Sequence, residues 1–306
     1  MERRNFFKYL SMNAIAAAFA PSVLASQAKD KSGQLTVKGV NTYLRSLYDV
    51  GEDSVDRIII GSPDTRVTKI GTCWMPYWDT LKKAVASGVN LMIAHEPTFY
   101  THFDLNHIEK DFGEFPMPAR EKYLQQAMEK KKWIEEKGLS IIRSHDVPDI
   151  LSKIGIPFAF GMALGYSNED IICSKPYYNV YRIRPVEAGM AARDIASRLL
   201  EFGQAGVAFY GDEKRMVSSV GLGTGAICDP IKFMDLEADL RIAIDDSVRT
   251  WTQTYYAMDS GDPLIIVNHG TAEENGMRLL HAHLQEVFSL HEVIHFNQGC
   301  GYKWIS

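Results

Sequence analysis

Three short stretches gather side chains of the kinds that bind metal ions: Ala94-His95-Glu96-Pro97, Ser144-His145-Asp146-Val147-Pro148-Asp149 and Asn268-His269-Gly270-Thr271-Ala272-Glu273-Glu274. Each follows an apolar run suited to a buried strand, VNLMIA before His95, LSIIR before Ser144 and PLIIV before Asn268. Imidazole nitrogens and carboxylate oxygens hold Zn, Mn or Fe dications, and a carboxylate can bridge two of them. His269 and Glu273 are four apart, so at a helix start they share one face and form a two-ligand clamp. Alone, each cluster is more often a capping or surface pair; three in one topological position point to a common chemistry. The chemistry expected of such a site is metal-assisted hydrolysis, in which the ion acidifies a bound water and polarises a carbonyl or phosphoryl oxygen. Glu274, or Glu96 where it does not ligate, is the candidate base.

The elements that must position these groups alternate helix and short apolar strand, which reads as an α/β protein. Helices are expected at Val37–Val50, Asp79–Ser87, Ala119–Lys137 and Ala188–Phe202, and strands at Arg57–Gly61, Val89–Ala94, Leu139–Arg143, Asn179–Ile183, Val207–Tyr210 and Val217–Leu222. Gly71–Pro76 and Thr101–Met117 read as loops, and a last helix runs from Asn268 to about Leu290. Residues 83–96 align weakly with 232–245, each a helix, a turn, a strand and polar residues. The expected architecture is two related α/β lobes with mixed sheets, 35–165 and 166–306, and a metal cleft at the carboxyl ends of the strands, where open sheets bind ligands.

The clusters and their order resemble the Nif-three-like dinuclear metal-centre proteins, also known as GTP cyclohydrolase I type two-like. That family's Gly-Ala-Asp-Leu-Ile-Ile-x-His-His-Pro is matched by Gly88-Val89-Asn90-Leu91-Met92-Ile93-Ala94-His95-Glu96-Pro97. Its central His-x-x-x-Asp is matched by His145 to Asp149, and its Gly-His-x-x-x-Glu by Asn268-His269 to Glu273. The resemblance spans Leu35 to Ser306. It implies His95, Glu96, Asp149, His269 and Glu273 as ligands of one or two divalent ions (Zn, Mn or Fe), with Glu273 bridging, and a homohexamer. His145 belongs to the motif without a ligand's role being implied. Glu96 departs from the family's second histidine; a carboxylate there adds charge and favours Mn or Fe(II). The substrate is not inherited, and a non-catalytic metal-binding scaffold is the alternative to a hydrolase.

The first 28 residues carry a separate message. MERRNFFKYLSMNAIAAAFAPSVLASQA has a basic start, a short Ala-rich apolar run and small residues before Ala25 or Ala28, the anatomy of a cleaved signal peptide. Arg3-Arg4-Asn5-Phe6-Phe7-Lys8 fits the twin-arginine consensus, so export to the periplasm is expected. The remainder holds 30 basic against 37 acidic residues, net −7, with no basic run. Nucleic acid is therefore excluded as a partner class, and no later stretch is long and apolar enough for a membrane helix. Cys73, Cys173, Cys228 and Cys300 form no C-x-x-C pair, which removes zinc ribbons and thioredoxin-like chemistry; in an oxidising compartment their pairing stays open.

One competing fingerprint is present. Gly221-Leu222-Gly223-Thr224-Gly225-Ala226 follows a strand, with Asp245 downstream, in the manner of a dinucleotide-binding turn. It sits too late in the chain to be followed by a full doubly wound domain, which makes NAD-type binding the least favoured reading. His102, His107, His281, His283, His291 and His295 receive no chemistry.

Overall fold

The computed structural model describes Ala28 and residues 33–106, 113, 115–152, 154–248 and 250–305. The segment read as a signal peptide, apart from Ala28, and His107 lie outside the described residues. The fold is mixed α/β with two mixed sheets. By contacts the chain divides into two compact units, one of residues up to Thr72, Pro76–Val147 and Leu280–Phe296, the other of Cys73–Met75, Pro148–Leu279 and Asn297–Ser306.

In the first unit, Thr36 caps helix α1 (Val37–Ser46) by accepting the Gly39 N–H at 3.1 Å. Strands β1 (Arg57–Ile60), β2 (Lys69–Cys73), β3 (Leu91–Ala94), β4 (Ser140–Arg143) and β11 (Glu292–His295) form a sheet in the order β1-β4-β3-β2-β11. β3 pairs parallel with β4, β2 parallel with β11, and β1 antiparallel with β4. Every residue of β3 and β4 is buried, as their continuous apolar runs require of a sheet covered on both faces. Helices α2 (Trp78–Ala86) and α3 (Met117–Glu136) supply buried Leu81, Ala84, Ala127 and Ile134. α3 also buries Lys130, whose ammonium donates to Pro76 O at 2.6 Å and Thr98 O at 2.8 Å.

The short helix α4 (Asp146–Ile150) starts directly after β4. In the second unit, α5 (Ile156–Ala163), β5 (Ile171–Lys175), β6 (Tyr178–Glu187), α6 (Ala188–Leu199), β7 (Ala208–Tyr210), β8 (Met216–Gly223), β9 (Leu240–Ile244), α7 (Trp251–Ser260) and β10 (Leu264–Val267) follow in turn. The sheet order is β5-β6-β8-β9-β10-β7, parallel between β8, β9 and β10 and antiparallel elsewhere. Its core joins Val180 and Tyr181 of β6, Val220 and Leu222 of β8, Ile242 and Ile244 of β9 and Ile265 of β10 with Ile195 and Leu199 of α6. Helix α8 (His269–Val287) begins one residue past the end of β10. The strands aligned by the weak repeat, β3 and β9, are both interior strands of their sheets.

Two local expectations change. Gly71-Thr72-Cys73, read as a loop, is the end of β2; a Cβ at Gly71 would come within 3.0–3.1 Å of Met92 and Phe296, so glycine is there for close packing within the sheet. The glycine turn after β8 opens no α-helix. Its next element is a 3-10 turn at Lys232–Leu236, and a Cβ at Gly221 would meet Ala238 at 2.7 Å and Phe233 at 3.1 Å. The glycine at 221 makes room for side chains of the protein, and the helix N-terminus on which a pyrophosphate would rest is missing there among the described residues. No disulfide forms among the described residues; all four cysteines are thiols. No helix among the described residues is long and apolar enough to cross a membrane.

Candidate functional site

In the first unit, the ends of β3 and β4 place His95, Glu96 and His145. The fully buried His95 ring sets Nδ1 3.1 Å from Ser144 O. A carbonyl oxygen only accepts, so the Nδ1 atom carries the hydrogen and Nε2 keeps its lone pair. His145 repeats the pattern with Nδ1 2.8 Å from Asp146 Oδ1. Hydrogen bonds of this type fix ring orientation and make the imidazole a better ligand. The two rings stack with centroids 4.6 Å apart, and His95, Glu96 and His145 bring one donor atom each within 4.8 Å of one another.

The backbone at His145 is set from far away in sequence. The buried Asp56 carboxylate accepts the N–H groups of His145 (2.7 Å), Asp146 (2.8 Å) and Val147 (2.9 Å), filling the open donors at the start of α4. Burial alone would raise the Asp146 carboxyl; hydrogen bonds from His145, Ser54 and the Val55 N–H outweigh it and hold the group below the ordinary carboxylate range.

Glu96 lies against Arg143, the last residue of β4. Arg143 is 1% exposed, with Nη2 3.7 Å from Glu96 Oε2, Nη1 3.8 Å from Asp104 Oδ2, Nε donating to His95 O at 3.1 Å and Nη1 donating to His102 O. Burial pulls the guanidinium pKa down while Glu96 and Asp104 oppose the change. Asp104 is raised by burial, against the pull of Arg143 and the N–H groups of Thr98 (2.6 Å) and Phe99 (3.0 Å). Tyr100 and Asp104 adopt φ of 71° and 57°, left-handed values that non-glycine residues hold only when their surroundings enforce them. This tied-down loop sets His102 edge-on to His145 at 5.8 Å and lowers its pKa through burial, then the charge of Arg143.

In the second unit, the ends of β9 and β10 place His269 and Glu273. Asp245 caps α8, taking the His269 N–H at 3.0 Å and the Asn268 side-chain amide at 2.9 Å. The acidic residue of the dinucleotide fingerprint is thus a helix cap. Its neighbour Asp246 receives His269 Nδ1 at 2.8 Å, a bond that holds the Asp246 carboxyl below its ordinary value. His269 Nε2 lies 3.0 Å from Glu273 Oε1. Two donors each 2.0–2.2 Å from one ion, at right angles, stand about 3.0 Å apart, so the pair already has the separation of adjacent ligands. Trp74 Nε1 donates to Glu273 Oε2 at 2.7 Å, and the indole meets the His269 ring edge-on at 5.3 Å. Gly270 makes this contact feasible: a Cβ there would come within 2.4 Å of Gly299 O and 2.8 Å of the indole. Glu274, the candidate base, is fully buried, accepts the Gln298 N–H at 3.1 Å and lies 3.8 Å from Arg278 Nε. Asp149, on α4, is buried.

The structure therefore brings His95 and Glu96 together with His145, and His269 with Glu273. The donor types suit a divalent ion: three imidazoles whose Nδ1 atoms face oxygen acceptors, with carboxylates beside them. Sequence reading missed Asp56, Trp74, Arg143 and Asp246, which orient these groups without being donors in the three clusters. The position of Asp246 two residues past a buried strand was its one visible signal.

Among solved structures, the chain is similar to protein SA1388 of Staphylococcus aureus (TM-score 0.67, 15% identity, covering 88% of this chain and 99% of that one). It is also similar to a Bacillus cereus protein related to NIF3 (TM-score 0.67, 13% identity, 88% and 99%) and to reduced HcgD from Methanocaldococcus jannaschii (TM-score 0.61, 15% identity, 86% and 98%). At these identities the likeness is one of fold. No curated protein matches the chain significantly. A family profile covers residues 52–298, from before β1 to beyond β11, including all three metal-type clusters. By that match, the chain belongs to the Duf34/NIF3 (NGG1p interacting factor 3) family.

Proposed function

We propose that the protein binds one or two divalent ions, of Zn, Mn or Fe, through His95, Glu96, Asp149, His269 and Glu273, and uses them to hydrolyse a small-molecule substrate. The observation that carries this reading is the shared wiring of His95, His145 and His269. Each Nδ1 is tied to an oxygen acceptor that fixes the ring's orientation, as the second partner of a metal-ligating imidazole does. When bound, the ion supplies an acidified water and a Lewis acid for the scissile carbonyl or phosphoryl group. The chain's own part is to orient and exclude: Trp74 fixes the Glu273 carboxylate, Asp246 and Ser144 O fix the rings, and burial keeps the donors dry. Glu274 is assigned the proton transfer, its carboxylate being held by the Gln298 N–H.

Elemental analysis of metal-loaded protein, wild type against Asp149→Ala with Glu273→Ala, tests the ligand set; unchanged metal per chain in the double variant overturns it. A screen of loaded protein against phosphoesters, nucleotides and amides tests turnover, with Glu274→Gln expected to lower the rate and keep the metal. Inactivity across the screen supports the scaffold reading instead.

The reading extends to export through Arg3-Arg4, supported by the N-terminal sequence, and to a homohexamer, supported by the family resemblance. N-terminal sequencing of protein from fractionated cells checks the first; sedimentation of the full-length mature protein checks the second.

A further inference from the structure

In the second unit, a cavity of about 260 Å³ lies beside the amino ends of β9 and β10, at the opposite end of these parallel strands from His269. Arg215 and Arg241 line it together with Asp262, and Glu237 and Asp239 line it with an apolar strip that includes Phe233. We infer that this cavity binds a free α-amino acid with an apolar side chain. Its carboxylate meets Arg241 and Arg215, its ammonium meets Glu237, and its side chain lies on the apolar strip. The inference does not depend on the metal-binding reading.

Arg241 points to the anionic end of the ligand. Its side chain is 9% exposed, Nη2 donates to Asp262 Oδ2 at 2.5 Å, and the buried Nε has no acceptor among the described residues. A buried guanidinium N–H without an acceptor is rare, and a carboxylate entering the cavity supplies one. Asp262 has no oxygen to spare, because Oδ1 takes Arg215 Nη1 at 2.5 Å. Burial raises the Asp262 carboxyl, yet the bonds from Arg241 and Arg215 outweigh it and hold the group below the ordinary carboxylate range. Two guanidiniums thus share one carboxylate, and the surplus positive charge suits a second one. The cavity is nevertheless not a plain anion site. Asp239 Oδ2 is occupied by the Ser218 N–H and hydroxyl, both at 2.8 Å, and by the Ser219 N–H at 3.1 Å. Glu237, which directly follows the 3-10 turn Lys232–Leu236, is exposed and open to an ammonium. Phe233 and Ala238, the side chains that Gly221 admits, belong to the lining with Met234, so the fingerprint glycine serves this cavity. Its volume falls below the roughly 300–1,000 Å³ of sites for drug-sized ligands, which restricts the occupant to one small molecule.

Isothermal titration of the full-length protein with L-leucine tests the inference. Leucinamide, which keeps the ammonium without the carboxylate, and isocaproate, which keeps the carboxylate without the ammonium, are the paired probes. Leucine is expected to bind saturably, and each probe at least about tenfold more weakly, as the loss of one charge-assisted contact requires. Glu237→Gln, a change at the surface, should weaken leucine about tenfold and leave isocaproate unchanged. Arg241→Lys should weaken leucine and isocaproate and leave leucinamide unchanged; should it misfold, Arg215→Gln, at a more exposed position, carries the same expectation. Arginines that merely brace Asp262 would not separate the two probes in this way. Absence of saturable binding at millimolar leucine, or leucine affinity unchanged in the folded variants, overturns the site. Equal affinity for leucine and isocaproate overturns the role given to Glu237 and with it the amino-acid assignment.

Discussion

Removal of the Asp56 carboxylate isolates the support beneath His145. In Asp56→Asn, one oxygen remains for the His145 and Asp146 N–H groups, both of which bond Oδ1, while the amide nitrogen confronts the Val147 N–H that now bonds Oδ2. A buried donor left without an acceptor costs about 1–3 kcal/mol, and loss of charge from the other two bonds removes roughly half their strength, about 1–2 kcal/mol together. The sum, about 2–5 kcal/mol, corresponds to a Tm lower by roughly 4–20 °C at about 2–4 °C per kcal/mol for chains of this size class. Asp56→Ala, which strands all three donors, should cost more than Asp56→Asn. Thermal denaturation followed by circular dichroism, on metal-free protein, reads the effect. A Tm within about 2 °C of wild type for Asp56→Ala would refute the reasoning, because it would mean that the three donors are satisfied without the carboxylate.

Trp74→Phe keeps an aromatic ring beside His269 and deletes the donor to Glu273, so metal affinity should fall about 10- to 100-fold with the fold intact; unchanged affinity by isothermal titration would count against the role assigned to Trp74. Gly270→Ala forces a methyl against Gly299 O and the indole and should cost about 1–3 kcal/mol in denaturant unfolding, with a changed tryptophan emission. Burial lowers the pKa of both His281 and His283 below the ordinary histidine value. Their unfolded forms then bind protons more readily, so the stability they contribute is full above about pH 6.5 and is lost as pH falls through the lowered folded values. Melting curves from pH 8 to 5 should show a fall that His283→Gln makes shallower; an identical pH profile would refute the assignment.

The legible parts of the molecule were those where one segment carries its own signal. Continuous apolar runs announced β3, β4 and β10, and the donor residues followed those strands directly. Arg57–Ile60, Ala188–Leu199 and the helix opening at His269 were likewise visible in local pattern. The end of β2 was not, because Gly71 and Pro76 bracket it with turn-like residues; what keeps Gly71 in a strand is the approach of Met92 and Phe296. The orienting residues were hidden for a related reason. Asp56, Arg143, Trp74 and Asp246 are ordinary residues in their own neighbourhoods, and Asp56, Trp74 and Asp246 acquire their roles from partners distant in sequence. Arg143 was hidden by its strand, where a terminal arginine reads as solvated although it is enclosed and paired with Glu96. The glycine fingerprint, already the least favoured reading, arises here because small residues admit neighbouring side chains as readily as phosphates.

The place of β11 has a consequence for the order in which the protein comes into being. Strand β2 lies between β3 and β11, and β11 is the last of the described strands to be synthesised. All six strands of the second sheet have been translated by Val267, before β11 exists. On the ribosome, the chain therefore carries a complete set of strands for its later sheet while the earlier sheet still exposes the open edge of β2. Such an edge is a template for unwanted strand pairing. Until β11 is made, the segment around Lys69–Cys73 is expected to be open to such pairing and to chaperone capture.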